Sequence, residues 1–424
     1  MSTTAKPPAE TTAVPLDKVL ARGRMRGTVA MLGPAFIAAI AYVDPGNFST
    51  NLSAGAEFGY ALVWVVVLAN LMAMPVQFLS AKIGIVTGKT LPEVCRDRYP
   101  APVRWALWLQ AEIVAMATDL AEFVGAALGL YLLFGIPMFP AALITAVAAF
   151  IVLALQARGF RPFERAIAAM LFFIIGGFIY QLLRIGADAG QALAGLAPSL
   201  PGSGSAYLAV GIIGATVMPH VVYLHSALTS RRVGASNDAE RRKVLHFERW
   251  DVIVALGMAG VINLSMLMVA AKLFHGSGNT TIGGIENAHA GLATLAGGGA
   301  ALVFAVALLA SGISSSSVGT FAGQVVMAGF LNFRIPLVLR RLITMLPALA
   351  VIGLGMNATD VLNFSQVVLS FGIPFALVPL VLITRDRATM GAFSNSRRMT
   401  ALMTLITAVI VGLNAYLLYD QFLG

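Results

Sequence analysis

Two short segments and one spaced set of acids carry the chemistry this chain can offer. Asp44-Pro45-Gly46-Asn47 and Met218-Pro219-His220 each set polar or sulfur side chains beside a proline. The carboxylate of Asp44 and the amide oxygen of Asn47 are oxygen donors. Met218 adds a soft thioether. Proline removes a backbone N–H and clashes with the turn before it. Each segment therefore breaks a helix, and the freed carbonyls of Ala41 and Ala215 lie one turn before the breaks. Hard cations such as Ca²⁺ and Mg²⁺ prefer all-oxygen shells. A mixed oxygen and sulfur set suits Mn²⁺, Fe²⁺, Co²⁺ or Cd²⁺, and ligand type alone leaves Cu²⁺ and Zn²⁺ open. The chain has 18 methionines, so a Met by itself signals packing. Met218 stands apart because its place in the second break matches that of Asp44 in the first.

Glu112, Asp119 and Glu122 are spaced by seven and three, which puts all three carboxylates on one face of a helix. Packing gives a membrane helix no reason to keep three acids on one side. Proton relay or ion-path electrostatics does. Arg340 and Arg341 are their candidate partners. His220 follows the second break and could be a metal ligand, a proton carrier or a hydrogen-bonded strut. The proton path is favoured, because Asp44 and Met218 already supply ligands. His225, five residues on, is a weaker candidate for the same path. Gln77 and Gln366 read first as inter-helix hydrogen-bonding groups, with Gln366 a reserve metal ligand. Ser314 to Ser317 either line a pathway or bond to backbone carbonyls. His246, His275 and His289 are expected to face solvent.

The elements that must position these groups are membrane helices. The composition is 58% hydrophobic and 11% charged, with mean hydropathy +0.85. Soluble domains carry about a quarter charged residues. Eleven apolar stretches are long enough to cross a bilayer, near 31–54, 61–86, 104–132, 137–157, 163–186, 205–229, 250–274, 293–329, 336–356, 360–383 and 398–419. The eighth reads as a span plus a tail. The net charge of +9 suggests nucleic acid, but its distribution does not. With residues 1–30 placed in the cytoplasm, nearly every Lys and Arg falls on the inner side, from Lys6 and Arg22 through Arg96 and Arg242 to Arg398. Only Arg184 and Lys272 remain outside. That asymmetry is the positive-inside rule, with the N-terminus inside and the C-terminus outside. Residues 1–20 lack the apolar core of a cleaved signal peptide, and 1–30 read as a disordered cytoplasmic tail. Cys95 falls in a cytoplasmic loop and excludes an internal disulfide framework. No Walker A motif, HExxH or paired-Cys zinc pattern is present. Asn279-Thr-Thr281 fits the glycosylation acceptor, a pattern with many false matches.

Both breaks share Ala-x-x-(Asp or Met)-Pro and lie in the first and sixth spans. Non-helical backbone at membrane depth is tolerated only in a cavity or buried in protein. Matched interruptions in two halves point to a transport site. Five spans lie from the first break to the second, and an odd-numbered repeat inserts in opposite orientation. The reading is an all-α membrane protein of eleven spans. An inverted pair covers 31–187 and 205–383, and an added helix covers 398–419.

At these residues the chain resembles the natural resistance-associated macrophage protein (Nramp) family. The motifs are Asp44-Pro45-Gly46-Asn47, Gly214-Ala-Thr-Val-Met218-Pro219-His220 and Ala117-Thr-Asp119-Leu-Ala-Glu122-Phe, and the likeness runs from about residue 28 to the last span, with the family's bacterial manganese-transport branch the nearest in pattern. It implies the LeuT-type 5+5 inverted-repeat fold with helices 1 and 6 unwound. It also implies proton-coupled import of Mn²⁺ and Fe²⁺, with Cd²⁺ and Co²⁺ also carried. By motif match the metal ligands would be Asp44, Asn47, Met218 and the carbonyls of Ala41 and Ala215, joined by Gln366 when the site is occluded. Asp119 and Glu122, with Glu112, His220 and Arg341, would form the proton path. Many relatives carry Asn where this chain has Val221, read here as subtype variation. A Mg²⁺-carrying branch lacks the methionine, and Met218 argues against it.

The expected protein is thus a secondary transporter of the bacterial inner membrane, not an enzyme. It has metal ion and proton as substrates, no permanent cofactor and no ATPase subunit. An amino-acid or organic-substrate symporter on the same scaffold is the main alternative, disfavoured by a carboxylate at Asp44. A membrane-embedded metalloenzyme is a third reading, weakened because a thioether is a poor ligand for a hydrolytic Zn²⁺. Substituting Met218→Ala is expected to keep Mn²⁺ transport while admitting Ca²⁺ or Mg²⁺. Flux competition in vesicles measures this, and unchanged discrimination would show that sulfur is not the filter.

Overall fold

The computed structural model describes residues 14–16, 33–157, 160–186, 188–202, 204–230, 232–276, 284–333 and 335–422. Most of the expected tail at 1–30 and the Asn279-Thr-Thr281 acceptor lie outside them. The described part of the tail is ordered. Val14–Pro15 (β1) pairs in parallel with Val233–Gly234 (β2), and Leu16 is buried against Val244. This two-residue ladder is a small exception to an otherwise helical chain.

The first span is two helices, α1 (Pro34–Ala41) and α2 (Pro45–Phe58). Then come α3 (Val63–Thr87), α4 (Leu91–Arg98), α5 (Ala101–Phe134), α6 (Met138–Ala157), α7 (Phe160–Ile185) and the short α8 (Ala189–Ala194). The sixth span is again divided, into α9 (Ser205–Thr216) and α10 (Pro219–Ser230). The remainder is α11 (Asp238–Phe274), α12 (Ile285–Leu295), α13 (Gly298–Leu331), α14 (Leu337–Gly353), α15 (Ala358–Arg385), α16 (Arg387–Met390) and α17 (Arg397–Phe422).

Of eleven expected stretches, eight among the described residues are long and apolar enough to cross a membrane, with Ser205–Ser230 taken as one. Two of the other three, the first span and α14, fall short for physical reasons. The first span is cut into helices of 8 and 14 residues. By contrast α6, at 20 residues and apolar along its length, is long enough to span a bilayer. At 17 residues, α14 is short, and it carries Arg340 and Arg341. Most of the eighth stretch is one 34-residue helix, α13, longer than the roughly 20 residues a span needs, and residues 293–295 belong to α12. Cys95 is not in a loop either. It is buried in α4, whose start is fixed by a Thr90–Glu93 capping box, and burial pushes its thiol up to about 12.

Helix packing repeats between the halves. α2 packs on α11, and its counterpart α10 packs on α3. α1 packs on α7, and its counterpart α9 packs on α15. The third and eighth spans, α5 and α13, form the most extensive contact. This is the architecture of two interlocked five-span units with broken first helices. Small residues make the close approaches possible. A Cβ on Gly55 would lie 2.3 Å from the Leu267 carbonyl oxygen, and one on Gly84 would lie 2.3 Å from that of Ser226. At the α5–α13 seam, a Cβ on Gly312 would lie 2.7 Å from the Ala126 Cβ and 2.8 Å from its nitrogen. Gly312→Ala should therefore cost about 1–3 kcal/mol by overpacking. A lowered melting temperature in detergent is the expected result, and an unchanged one would mean the seam is looser than described.

Candidate metal site and proton-handling groups

The first break is built by Asp44. It sits in extended conformation as the N-cap of α2, and its carboxylate accepts from the N–H groups of Gly46 (3.1 Å) and Asn47 (2.9 Å). That is N-capping at the positive end of a helix. The carbonyls of Ala41 and Ala215 would each be capped by the residue four further on. Those residues are Pro45 and Pro219, which have no N–H. Both oxygens are thus left to other partners. Ala215 receives the Asn47 side chain: Nδ2 donates to its carbonyl at 2.7 Å and to Asp44 Oδ1 at 2.7 Å. One amide therefore bridges the two broken spans. Thr216 Oγ1 stands 3.5 Å from Asn47 Oδ1.

Gln366, on α15, lies over the same break. A Cβ on Gly46 would fall 2.0 Å from Gln366 Nε2 and 2.8 Å from Asp44 Oδ2, so only glycine lets amide and carboxylate close together there. Gln366 Oε1 is buried with no hydrogen-bond partner. Met218 is fully buried between the end of α9 and Pro219. Asp44, Asn47, Met218, Ala41, Ala215 and Gln366 are all buried, and the contacts above bring Asp44, Asn47, Ala215 and Gln366 together. Among the described residues no three His, Cys, Asp or Glu side chains gather as a metal cluster. The donor groups at the two breaks are one carboxylate, two side-chain amides, freed carbonyls and a thioether.

The acid face of α5 runs toward this break. Gly125, three residues past Glu122, packs directly on Pro45. Gly319 of α13 makes room for the acids: a Cβ there would lie 2.8 Å from Glu122 Oε2 and 3.4 Å from Asp119 Oδ1. The three carboxylates differ in their partners. Glu112 is held by Arg340 through two contacts, 3.1 and 2.7 Å, a bidentate pair. Asp119 is 3.8 Å from Arg341 Nη1. Both Glu122 oxygens are buried with no hydrogen bond. Arg341 is itself fixed on α13, donating to the Ser316 carbonyl (2.8 Å), the Ser316 hydroxyl and the Thr320 hydroxyl. The serine run thus divides. Ser314, Ser315 and Ser317 bond back to carbonyls of their own helix, and Ser316 holds the arginine.

His220 and His225 belong to different networks. His220 Nδ1 is 3.2 Å from the Thr118 hydroxyl on α5, and its Nε2 has no partner. His225 Nδ1 is 2.9 Å from Gln77 Oε1, and Gln77 Nε2 donates to the Tyr42 hydroxyl at 2.6 Å. On its other side, His225 Nε2 is 2.9 Å from Glu248 Oε1, an ion-pair distance whose alignment falls short of a hydrogen bond. One turn on, Asp251 accepts from the N–H groups of Gly33 and Ala35 and so caps α1 from another helix. Sequence reasoning passed over Tyr42, Thr118, Glu248 and Asp251. The one signal was Glu248 and Asp251, two acids at helical spacing at the edge of an apolar run. Of the remaining histidines, His246 and His275 are exposed, whereas His289 is half-buried with its ring 6.4 Å from that of Phe304, so solvent alone does not describe it. His225→Ala and Glu248→Ala should be non-additive, with a coupling of about 0.5–3 kcal/mol. Thermal melts of both single variants and the double variant test this, and additive shifts would show that the 2.9 Å approach carries no coupling.

A family model described as natural resistance-associated macrophage protein-like matches residues 35–420. A divalent metal cation transporter, MntH, of Deinococcus radiodurans is 54% identical over 396 residues, 93% of this chain and 91% of that protein. A manganese transporter of Eremococcus coleocola has a crystal structure that superposes with TM-score 0.85 at 33% identity, covering 95% of this chain and 88% of that one. MhsT, solved with L-phenylalanine, shares the fold alone, at TM-score 0.59 and 16% identity over 92% of this chain and 98% of that one. On its motifs, its broken first and sixth spans and this span of matches, the chain is a multi-pass membrane protein of the Nramp family.

Proposed function

We propose that this protein imports divalent transition-metal ions, Mn²⁺ and Fe²⁺ above all and Cd²⁺ and Co²⁺ as well, together with protons, by alternating access across the bacterial inner membrane. The observation that carries this reading is the position of Asn47 Nδ2, 2.7 Å from both Asp44 Oδ1 and the Ala215 carbonyl. An N–H group there stands where a cation would be welcome, between a carboxylate and a freed carbonyl. Turning the Asn47 amide would offer its oxygen to the ion instead. Met218, the Ala41 carbonyl and Gln366 would complete the shell, and the sulfur favours transition metals over Ca²⁺ and Mg²⁺. Relatives with this pattern are named as transporters rather than enzymes.

Glu122 is the proton acceptor closest to the metal site along α5, and Asp119, Arg341, Glu112 and Arg340 continue the route along that face. His220 joins the route through Thr118. His225, with Glu248, is a second branch on the α3–α11 side. The movable parts are the unwound ends of α1 and α9–α10, as in transporters whose discontinuous helices carry the site. Entry is driven inward because 100 mV supplies about 2.3 kcal/mol per charge, and a divalent ion gains twice that. In this reading residues 31–187 and 205–383 form the inverted pair. α1–α2, α6 and α14 also cross the bilayer, for eleven spans, with the N-terminus cytoplasmic and the C-terminus outside.

Asp44→Ala should abolish Mn²⁺ uptake into proteoliposomes, whereas Glu122→Gln should keep uptake and lose the accompanying acidification. Normal Mn²⁺ flux in the first variant would end the site assignment. Normal proton flux in the second would remove Glu122 from the path.

A further inference from the structure

Three arginines converge where α15, α16 and α17 meet. Arg385 ends α15, Arg387 begins α16 and Arg397 begins α17, and all three line an open cavity of about 1110 Å³. Arg98, at the end of α4, also lines it, but its charge is spoken for: Nη1 is 2.7 Å from Asp386 Oδ2. The Thr389 hydroxyl (2.9 Å) and the Ala388 N–H (3.1 Å) also donate to Asp386 and, with Arg98, hold its carboxyl below the usual range. Asp386 is therefore engaged, and among the described residues Arg385, Arg387 and Arg397 form no ion pair. Three positive charges are left uncompensated around one cavity.

Beyond a band of hydroxyls from Ser394, Ser396, Thr400 and Thr404, the cavity has an apolar side. Leu382 comes from α15, and Leu405 and Ala408, one turn apart, come from α17. Leu405 is 61% exposed, and the outer face of α17 continues with exposed Leu402, Val411 and Leu418. The cavity thus opens along an exposed apolar helix face, of the kind a bilayer covers. A free anion would have no use for that wall, and an acidic peptide would not reach acyl depth. Guanidinium groups match phosphate oxygens in bidentate geometry. Basic pockets between membrane helices on the cytoplasmic side suit anionic headgroups.

We propose that this cavity binds an anionic phospholipid of the inner leaflet, with its phosphodiester on Arg385, Arg387 and Arg397 and an acyl chain along Leu405 and Ala408. The inference does not rest on the cargo of the transport site.

The test is lipid titration of the delipidated full chain, with bound lipid counted by native mass spectrometry. Phosphatidylglycerol should bind in preference to phosphatidylcholine. Arg385→Gln, Arg387→Gln and Arg397→Gln together should lower phosphatidylglycerol affinity about 100-fold, at roughly five-fold per arginine. Ala408→Trp fills the apolar wall with the charges intact and should also weaken lipid binding. Equal binding of both lipids by the wild type, or unchanged phosphatidylglycerol binding in either variant, overturns the proposal. So does displacement of phosphatidylglycerol by inorganic phosphate as effective in Ala408→Trp as in the wild type, which would make this a free-anion site. Mn²⁺ uptake by the triple variant in phosphatidylcholine vesicles is expected at the wild-type rate. That result separates a lost lipid site from a misfolded chain.

Discussion

The structure depends on how two broken helices satisfy their backbone in an apolar interior. An unpaired polar group there costs several kcal/mol, so a break survives only if each freed donor and acceptor finds a partner. In α1–α2 the Asp44 carboxylate takes the first N–H groups of α2, and in α9–α10 the Ala215 carbonyl takes the Asn47 amide. The same amide also binds Asp44, so one side chain joins both breaks. A protein that meets its backbone requirement this way holds a carboxylate, a carbonyl and an amide oxygen within reach of one point. Those are also the groups a cation needs.

The acids of α5 show a second constraint, the cost of burying charge. Glu112 is offset by a bidentate arginine, Asp119 by a more distant one and Glu122 by none. A buried ion pair gains little net stability over apolar packing, whereas an unpaired buried charge is strongly unfavourable. The graded pairing leaves Glu122, one turn from the Gly125–Pro45 contact, as the acid with no arginine at ion-pair distance among the described residues. The room for it comes from α13. A Cβ at Gly319 would press on Glu122, and one at Gly323 would lie 2.2 Å from Arg340 Nη2.

Much of this was legible in one dimension. A proline beside an acid inside an apolar run, repeated five spans later, is visible without a fold, because the penalty for breaking a helix in lipid is local. The spacing of Glu112, Asp119 and Glu122 needs only the helical period. The network from Tyr42 through Gln77, His225 and Glu248, with Asp251 capping α1, was not legible. Its members come from three helices and the first break, and no spacing along the chain relates them. The Ser314–Ser317 run held both of its readings until packing placed Arg341 against Ser316 alone. Cys95 read as a loop residue because α4 is short and polar, and its burial depends on neighbours distant in sequence.

Taken alone, the chain determined that this protein lives in a membrane, where its helices break and which side chains stand at the breaks. Those properties follow from composition, period and the missing N–H of proline. Tertiary structure alone decided which groups face one another: that Asn47 bridges to Ala215, that Arg340 takes Glu112 and Arg341 approaches Asp119, and that three arginines gather beside the α17 wall. Contacts between residues hundreds of positions apart are set by packing of the whole helical assembly. Small residues such as Gly84 and Gly312 permit that packing, but nothing local to them specifies it.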